Sequence, residues 1–387
     1  MNKVTGPVAG TLLILLSAWS CKAPQVVFKA ENKSLPAAYS RHQGDSLNIA
    51  DLNWRTYFAD SNLVALIDTA LMHNQEMNIL MQEINISQNE VMARKGEYMP
   101  FVRWGAGTGL EKPGKFTPAG AVEDQLEVKP GKAFPEPLAD FAAGFQASWE
   151  LDVWKKLRKA KTAAFNRYLA SIEGRNFMAT RLIAEIAEAY YELMAMDNLL
   201  NIIDQNIQIQ SDALNVVRQQ KAAAKVSQLA VNRFEAQLLH AQNLRFAIRQ
   251  NITEAENRIH FLTGRFSGSV ARSSDRFMNL PLDTFPAGLP SQLLLHRPDI
   301  RQAELELAAG KLDIEVARAN FLPSFGLKAG LGFQSFNPVY LVNPESVLFN
   351  LAGDVIAPLV NKNAIWPPTT PPPPNRYRPC INTNKPY

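Results

Sequence analysis

Apolar side chains recur at alternating intervals of four and three residues over two long stretches of the chain. The first stretch covers residues 182–217 and is interrupted by Gln210, and the second covers residues 234–262 with Arg245 as its one charged member. This spacing is typical of a coiled coil, so we predict two long helices. At a rise of about 1.5 Å per residue the first is roughly 100 Å long, too long for a compact globular domain. The predicted helices cover residues of about 153–218 and 226–262.

Four shorter stretches alternate between apolar residues and small or polar ones, which is the period of a β-strand. Each is about ten residues long, the length that a tilted strand needs to cross the hydrocarbon layer of a membrane. The predicted strands cover residues of about 101–110, 141–151, 324–334 and 347–359. Four polar side chains opposite the apolar set are candidates for a lumen-facing surface: Arg103, Gln146, Lys328 and Gln334.

The regions beside the first strand predict a helix and a loop. Residues 51–91 carry apolar side chains at helical spacing, with Asp60 or Ser61 as a suitable N-cap. Residues 111–139 are rich in proline, glycine, lysine and glutamate. We therefore predict a helix before the first strand and a long loop after it.

The pattern of the first strand region returns near the end of the chain. Residues 98–100 resemble residues 321–323, and residues 106–109 resemble residues 329–332, both at a displacement of 223 positions. Matches at one fixed displacement indicate an internal duplication. We therefore predict two repeats built from helix, strand, loop, strand and long helices, of which the second is incomplete. The repeats and the linker between them cover residues 51–265, 266–298 and 299–363.

The amino terminus has the features of a secretory signal peptide over residues 1–20, with an apolar segment at residues 8–16. Residues 16–21 resemble a bacterial lipobox, in which Cys21 becomes the lipidated first residue of the mature chain. Residues 21–50 then form an extended lipoprotein segment, and secretion without lipid is the alternative. No later stretch offers about 18 consecutive apolar residues, so a mature chain that crosses a membrane has to do so as a closed barrel.

Composition and charge exclude some functions without selecting one. The chain is 47% hydrophobic and 20% charged, which is ordinary for a folded protein. Its net charge is +4 and its basic residues are dispersed among acidic ones, so no nucleic-acid surface is predicted. The five histidines lack the spacing of a metal site, and we predict neither a metal nor another cofactor. Glu150 and Asp152 resemble an acid–base pair, but their place at a helix entrance favours capping and lumen-facing polarity, so no enzyme activity is predicted.

Three segments resemble the outer-membrane efflux protein family of TolC-like trimeric channels, and specifically its lipoprotein branch that serves RND-type multidrug pumps. Residues 148–154 match the family's strand-to-helix signature, and residues 289–304 match its most specific motif. The motif residues of this chain are Trp149, Glu150, Leu151, Asp152, Arg297, Pro298 and Asp299. The turn between the family's two long periplasmic helices corresponds here to Arg218, Lys225 and Ser227. The resemblance extends over roughly residues 21–363.

The resemblance implies a mainly α-helical chain with membrane strands. In this family three protomers each contribute four strands to a twelve-stranded outer-membrane β-barrel, and their helices form a long α-helical barrel across the periplasm. A periplasmic adaptor protein and an inner-membrane RND transporter complete the tripartite pump. The chain is thus expected to be a homotrimeric, passive conduit for drugs or other small molecules, lipid-anchored in the outer membrane of a Gram-negative bacterium and extending into the periplasm.

The resemblance stops at Asn363, where the family continues into a second pair of long helices. Residues 364–387 are instead proline-rich, which is typical of a short polyproline II segment, and we expect a reading-frame change or a truncated gene model there. Without the second helix pair, roughly a third of the helical wall is missing and apolar seams are exposed to water, which disfavours assembly.

Two other functions share part of this pattern. A TolC-like channel for type I protein secretion has the same fold, but the lipobox and the motif around Arg297 favour the drug-efflux branch. A soluble periplasmic coiled-coil adaptor or scaffold has paired helices as well, but lacks paired strands that alternate for ten residues.

Overall fold

The computed structural model describes residues 53–133, 135–279, 294 and 296–358. Its helices are α1 Trp54–Tyr57, α2 Ser61–His73, α3 Gln75–Tyr98, α4 Pro118–Glu123, α5 Lys156–Ala222, α6 Gln228–Thr263 and α7 Pro298–Ala319. Its strands are β1 Phe101–Glu111, β2 Glu127–Lys129, β3 Lys132–Ala133, β4 Leu138–Leu151, β5 Ser324–Ser335 and β6 Val347–Ile356. Short 3₁₀ turns lie at Ser274–Asn279, Pro338–Tyr340 and Pro344–Ser346.

The described residues fall into two compact units. One, the strand unit, takes residues 88–166 and 307–358 of the described chain, and the other, the helix unit, takes residues 53–87 and 167–306. Each unit therefore draws on both of the repeats predicted from the sequence. The division of the chain in space differs from its division by internal duplication, because the strands of the two repeats pair with one another.

The helix unit is held together by apolar side chains at the predicted seam positions of α5 and α6. Ile186 and Leu193 of α5 and Ile259 of α6 are fully buried, and they pack with Leu63 and Ile67 of α2. Burying an aliphatic side chain of this size contributes about 1.5–3 kcal/mol. The heptad spacing therefore predicted the core of this unit, although it did not show that α2 completes it.

The helix predicted from residue 51 is divided in the structure. Asn74 ends α2, and its buried side chain donates to the Leu262 carbonyl (3.0 Å) and accepts from the Met77 backbone N–H (3.1 Å). The amide thus satisfies a backbone N–H in the first turn of α3 and a backbone carbonyl near the end of α6, which an apolar residue at this position cannot do. The N-cap of α2 is Asp60, one of the two residues expected there, and its carboxylate accepts from the Asn62 backbone N–H.

Asp60 also anchors the core through Tyr190. The buried Tyr190 hydroxyl donates to the second carboxylate oxygen of Asp60 at 2.7 Å. Burial raises the pKa of Tyr190 well above its usual range, and the hydrogen bond to the Asp60 carboxylate adds to the effect. The phenol is therefore neutral over the range in which proteins work, and it fixes the start of α2 to α5.

Arg245, the charged member of the α6 seam, faces an acidic residue on α5. Its guanidinium lies 3.6 Å from the Asp204 carboxylate, and Arg258 of α6 reaches Glu188 of α5 at 3.4 Å. Ion pairs between facing helices fix their register more than they add stability. The interruption of the stripe at Arg245 is thus a register contact between α5 and α6.

The four long strands form one antiparallel sheet in the order β1-β4-β5-β6. Its two outer pairs are the hairpins of the two predicted repeats, and β4 and β5 join them. The loop expected at residues 111–139 is not structureless, because it carries α4, capped by Thr117, and the small hairpin β2–β3. Elements of two to six residues are too short to produce a periodicity in the sequence.

Candidate functional site

The sheet has one polar face and one apolar face. Directly paired residues of antiparallel strands point to the same side, so the register assigns every side chain to a face. The polar face comprises Phe101, Arg103, Gly105, Gly107, Gly109 and Glu111 of β1, the even-numbered residues 138–150 of β4, 324–334 of β5 and 348–356 of β6. The apolar face comprises the alternate residues of the same strands.

The apolar face carries large side chains that the chain itself leaves uncovered. One row across the sheet consists of Trp104, Phe145, Leu331 and Phe349, which are paired in turn from β1 to β6. These four side chains are between 56% and 81% exposed. A contiguous apolar surface of this extent is typical of an interface with lipid or with another protein.

The polar face brings together all four residues predicted to face a lumen. Arg103 donates from Nε and Nη2 to the Gln146 side-chain oxygen at 3.0 and 2.7 Å. Lys328 donates to Asp354 at 2.8 Å, and the Gln334 amide donates to Asp140 at 2.9 Å. These contacts join neighbouring strands side chain to side chain. The polar face also borders a groove of about 810 Å³ that all four predicted residues line.

Asp140 and Asp354 belong to this face and were not among the predicted residues. Asp354 lies in the last predicted strand, where Asn350 and Asp354 alternate with apolar neighbours. The same period-two rule that selected Lys328 would have assigned Asn350 and Asp354 to the polar face. Asp140 lies one residue before the predicted start of its strand, so its face was not assigned.

Glycines occupy the centre of the polar face. Gly105, Gly144 and Gly332 lie in one row, and Leu348 completes it on β6. A Cβ added to Gly144 would lie 2.6 Å from the Gly332 Cα, so the two backbones approach too closely for any side chain at that position. The glycine row lies beside the row of large apolar side chains, and it therefore adds almost no side-chain volume to the polar face.

The end of β4 and the start of α5 form a rigid strand–helix junction. The Trp149 indole donates to the Tyr98 carbonyl at 3.1 Å, and the Trp154 indole donates to the Pro323 carbonyl at 2.7 Å. Glu150 pairs with Lys156 at 2.5 Å, and Leu151 closes the strand opposite Phe325. The signature residues thus connect β4 to the ends of α3, α5 and the approach to β5.

Asp152 caps α5. Its buried carboxylate accepts from the backbone N–H groups of Leu157 and Arg158 at 2.9 and 3.0 Å, and the Arg158 side chain donates to it at 3.1 Å. Burial on its own would raise the pKa of Asp152, but these hydrogen bonds outweigh it and hold the pKa below its usual range. The carboxylate is charged and fully engaged, which leaves it unsuited to acid–base work.

The motif around Arg297 starts α7. Pro298 is the first helical residue, and Arg297 donates to both carboxylate oxygens of Asp299 at 3.0 and 2.6 Å. The hydrogen bonds from Arg297 lower the pKa of Asp299 against the opposing effect of burial. A carboxylate in the first turn also interacts favourably with the helix dipole. The geometry is that of a helix start.

The three residues predicted at a tip lie in the last turns of α5 and in the turn between α5 and α6. Arg218 lies 3.4 Å from Glu235 of α6, Lys225 is exposed, and Ser227 is the N-cap residue of α6 with no capping hydrogen bond from its hydroxyl. Lys221 also contacts Gln228 across the turn. The turn thus presents a lysine and an uncommitted hydroxyl to solvent.

Ala224 makes this turn in the left-handed region, with φ of 56°. That conformation costs a residue with a Cβ about 1–2 kcal/mol. We expect Ala224→Gly to stabilise the tip by about 0.5–1 kcal/mol once the extra freedom of glycine in the unfolded chain is counted. Amide hydrogen exchange at the tip should become slower.

Ala222→Gly is the matched control for this prediction. Ala222 is the last residue of α5 and has no left-handed strain to relieve, so glycine there only adds freedom to the unfolded chain, and exchange should not become slower. Faster exchange in both variants would contradict the strain at Ala224.

A cluster of charges in the helix unit was not foreseen from the sequence. Arg272 donates to both carboxylate oxygens of Asp197 (2.5 and 3.0 Å) and to Glu256 (2.6 Å), while Ser274 donates to Asp197 at 2.6 Å. We call these four residues the Arg272 cluster. Burial alone would raise the pKa of Asp197, but the hydrogen bonds from Arg272 and Ser274 prevail and lower it. The cluster ties the segment after α6 to both long helices.

Two features are absent from the described residues. Within them, no group of three or more histidine, cysteine, aspartate or glutamate side chains is placed to hold a metal ion. No helix in the described part of the chain combines the length and apolar content that a bilayer crossing requires. Cys21 and the proline-rich tail lie outside the described residues.

Comparison with known proteins places the chain among transport proteins of the outer membrane. A family model described as "Outer membrane efflux protein" matches residues 66–265 and 289–339. The chain is 25% identical over 332 residues to the cation efflux system protein CusC of Escherichia coli strain K12, with 84% of this chain and 69% of CusC covered. It is 28% identical over 297 residues to the toluene efflux pump outer membrane protein TtgF of Pseudomonas putida, with coverage of 76% of this chain and 58% of TtgF.

Solved structures of similar fold are outer membrane channels. CmeC of Campylobacter jejuni superposes with a TM-score of 0.73 at 20% identity, covering 89% of this chain and 71% of CmeC. MtrE of Neisseria gonorrhoeae superposes with a TM-score of 0.72 at 24% identity, covering 89% of this chain and 74% of MtrE. The fold predicted from the sequence is thus confirmed at the level of TolC-like channels. The chain spans between 58% and 74% of the length of these relatives.

Proposed function

Because the chain belongs to the outer membrane efflux protein family, we propose that it is a channel subunit of a tripartite efflux pump. In this function it is a passive conduit for small molecules across the outer membrane and the periplasm, and no residue is assigned a catalytic role. The observation that carries the proposal is the two-faced sheet, whose apolar face is exposed and whose polar face borders a groove. A wall between lipid and water needs this distribution of side chains.

We propose a homotrimer in which each chain gives four strands to a twelve-stranded barrel. The strand order supports this arrangement, because β1 and β6 are the two outer strands of the described sheet. An uncovered outer edge exposes unpaired backbone N–H and C=O groups, which are costly in a membrane. Pairing β6 of one chain with β1 of the next removes both edges.

In this proposal the functional residues lie in three regions: the polar face, the supporting helix starts and the tip. The polar face, with Arg103, Gln146, Lys328 and Gln334, lines the lumen. The strand–helix junction at residues 149–152 and the start of α7 at residues 297–299 support the wall and bind no ligand. The tip contacts a periplasmic adaptor protein through Arg218, Lys225 and Ser227, and the adaptor links the channel to an inner-membrane RND transporter. In this proposal Cys21 carries the lipid that adds an anchor to the outer membrane.

The names of the relatives indicate a broad class of substrate. TtgF is described as part of a toluene efflux pump and CusC as part of a cation efflux system. Export of small molecules is common to both names. We therefore propose small-molecule export rather than protein secretion for this chain.

The test is to express the chain and determine how it leaves the membrane. The proposal predicts extraction only with detergent, a heat-sensitive trimer on unheated gels, and ion conductance after reconstitution into a planar bilayer. These results would contradict the expectation from the sequence that the incomplete helical wall disfavours assembly. A monomer that is released without detergent and does not conduct ions would instead support a soluble periplasmic scaffold.

A further inference from the structure

Three of the six charged side chains on the polar face have an ion-pair partner of opposite charge. Lys328 pairs with Asp354 at 2.8 Å, and Glu150 pairs with Lys156 at 2.5 Å. Arg103 differs, because its hydrogen bonds go to the uncharged side chain of Gln146. Among the described residues, no carboxylate lies within ion-pair distance of its guanidinium. Arg103 therefore contributes an uncompensated positive charge to this face.

The opposite end of the face carries uncompensated negative charge. Asp140 accepts from the Gln334 amide and has no cationic partner among the described residues. It pairs in register with Gly109, six residues along β1 from Arg103, which corresponds to about 20 Å. The glycine row of Gly105, Gly144 and Gly332 lies between the two levels and adds no charge. The polar face is thus positive towards the helix end of the strands and negative towards the hairpin end.

We infer that Arg103 is a selectivity residue that attracts anionic small molecules into the lumen. The inference rests on the proposed function, since only barrel closure turns one guanidinium per chain into a ring of three. A ring of fixed charge in a confined channel concentrates counter-ions and repels ions of its own sign. Gln146 is its positioning residue, because its side-chain oxygen holds the guanidinium against the face without neutralising it.

The experiment measures chloride and potassium permeability of the full chain reconstituted as a trimer in a planar bilayer under a KCl gradient. We expect Arg103→Gln to lower the chloride-to-potassium permeability ratio by about twofold or more at low salt. The Debye length is about 30 Å at about 0.01 M salt and about 3 Å at about 1 M. The effect should therefore fade at about 1 M KCl, which a change in channel structure would not explain.

Two control variants separate charge from packing. Arg103→Lys keeps the charge and should keep the permeability ratio, although it loses the two-pronged hydrogen bond to Gln146. The double variant Lys328→Gln with Asp354→Asn removes a neutralised pair from the same face and should leave the ratio unchanged.

The outcomes distinguish this inference from the function on which it rests. A conducting trimer whose permeability ratio is the same with and without Arg103→Gln overturns the inference and leaves the channel function standing. A chain that forms no conducting trimer overturns both. A ratio that falls equally at low and high salt also overturns the inference, because an electrostatic effect has to be screened.

Discussion

Phe349→Lys is expected to prevent insertion of the proposed trimer into the membrane, whereas Leu348→Lys, one residue earlier on β6, is expected to leave insertion intact. Phe349 lies on the apolar face and is 81% exposed, while Leu348 lies on the polar face opposite Gly332. A lysine that faces lipid near the bilayer midplane costs about 2–4 kcal/mol. Three copies in a trimer raise the cost to about 6–12 kcal/mol. The same lysine on the polar face stays hydrated.

The pair of variants is matched in size, chemistry and depth along the strand. Insertion can be followed by flotation with liposomes and by the heat-sensitive trimer band on unheated gels. Circular dichroism in detergent reports whether each variant still folds. Equal insertion of both variants would show that the apolar face does not contact lipid, and equal failure would show that the effect of the lysine does not depend on the face.

The sequence was sufficient to locate the strands and to sort their faces. A period of two is preserved whenever one side of a strand meets an apolar environment, and it placed Arg103, Gln146, Lys328 and Gln334 on one side. The register of the structure supports that grouping. Asp140 was missed because it precedes the predicted start of its strand, and Asp354 was missed because the rule was not applied to the polar residues of the last strand.

In the helix unit, the sequence predicted the apolar contacts and did not predict the polar ones. Heptad spacing located the buried seam because Ile186 and Leu193 of α5 and Ile259 of α6 lie in one hydrophobic core. It did not reveal the break at Asn74, whose side chain also donates to the Leu262 carbonyl 188 positions away. It did not reveal the Arg272 cluster either, whose residues Asp197 and Arg272 are 75 positions apart. Contacts between polar groups distant in the chain leave no periodic trace.

Arg272→Met is expected to lower the stability of the helix unit by about 3 kcal/mol at neutral pH. The substitution leaves the Asp197 and Glu256 carboxylates without their shared cation in a mostly buried place. An uncompensated buried charge is among the costliest single defects that a fold can acquire. Denaturation by guanidinium, followed by the helical circular dichroism signal, should show a lower midpoint. Arg258→Met is the control, because Arg258 also joins α6 to α5 but through exposed pairs worth about 0–1 kcal/mol.

The stability lost by Arg272→Met is expected to depend on pH, and this dependence distinguishes loss of charge pairing from loss of packing. The folded pKa of Asp197 lies below its unfolded value of about 3.9, so the pairing stabilises the fold above that pH and is lost as the pH falls through the folded value. The deficit of Arg272→Met should therefore be full at neutral pH and should shrink as the pH falls below about 4. A deficit that stays constant down to acid pH would mean that Arg272 stabilises the helix unit through the contacts of its aliphatic stem, which do not titrate.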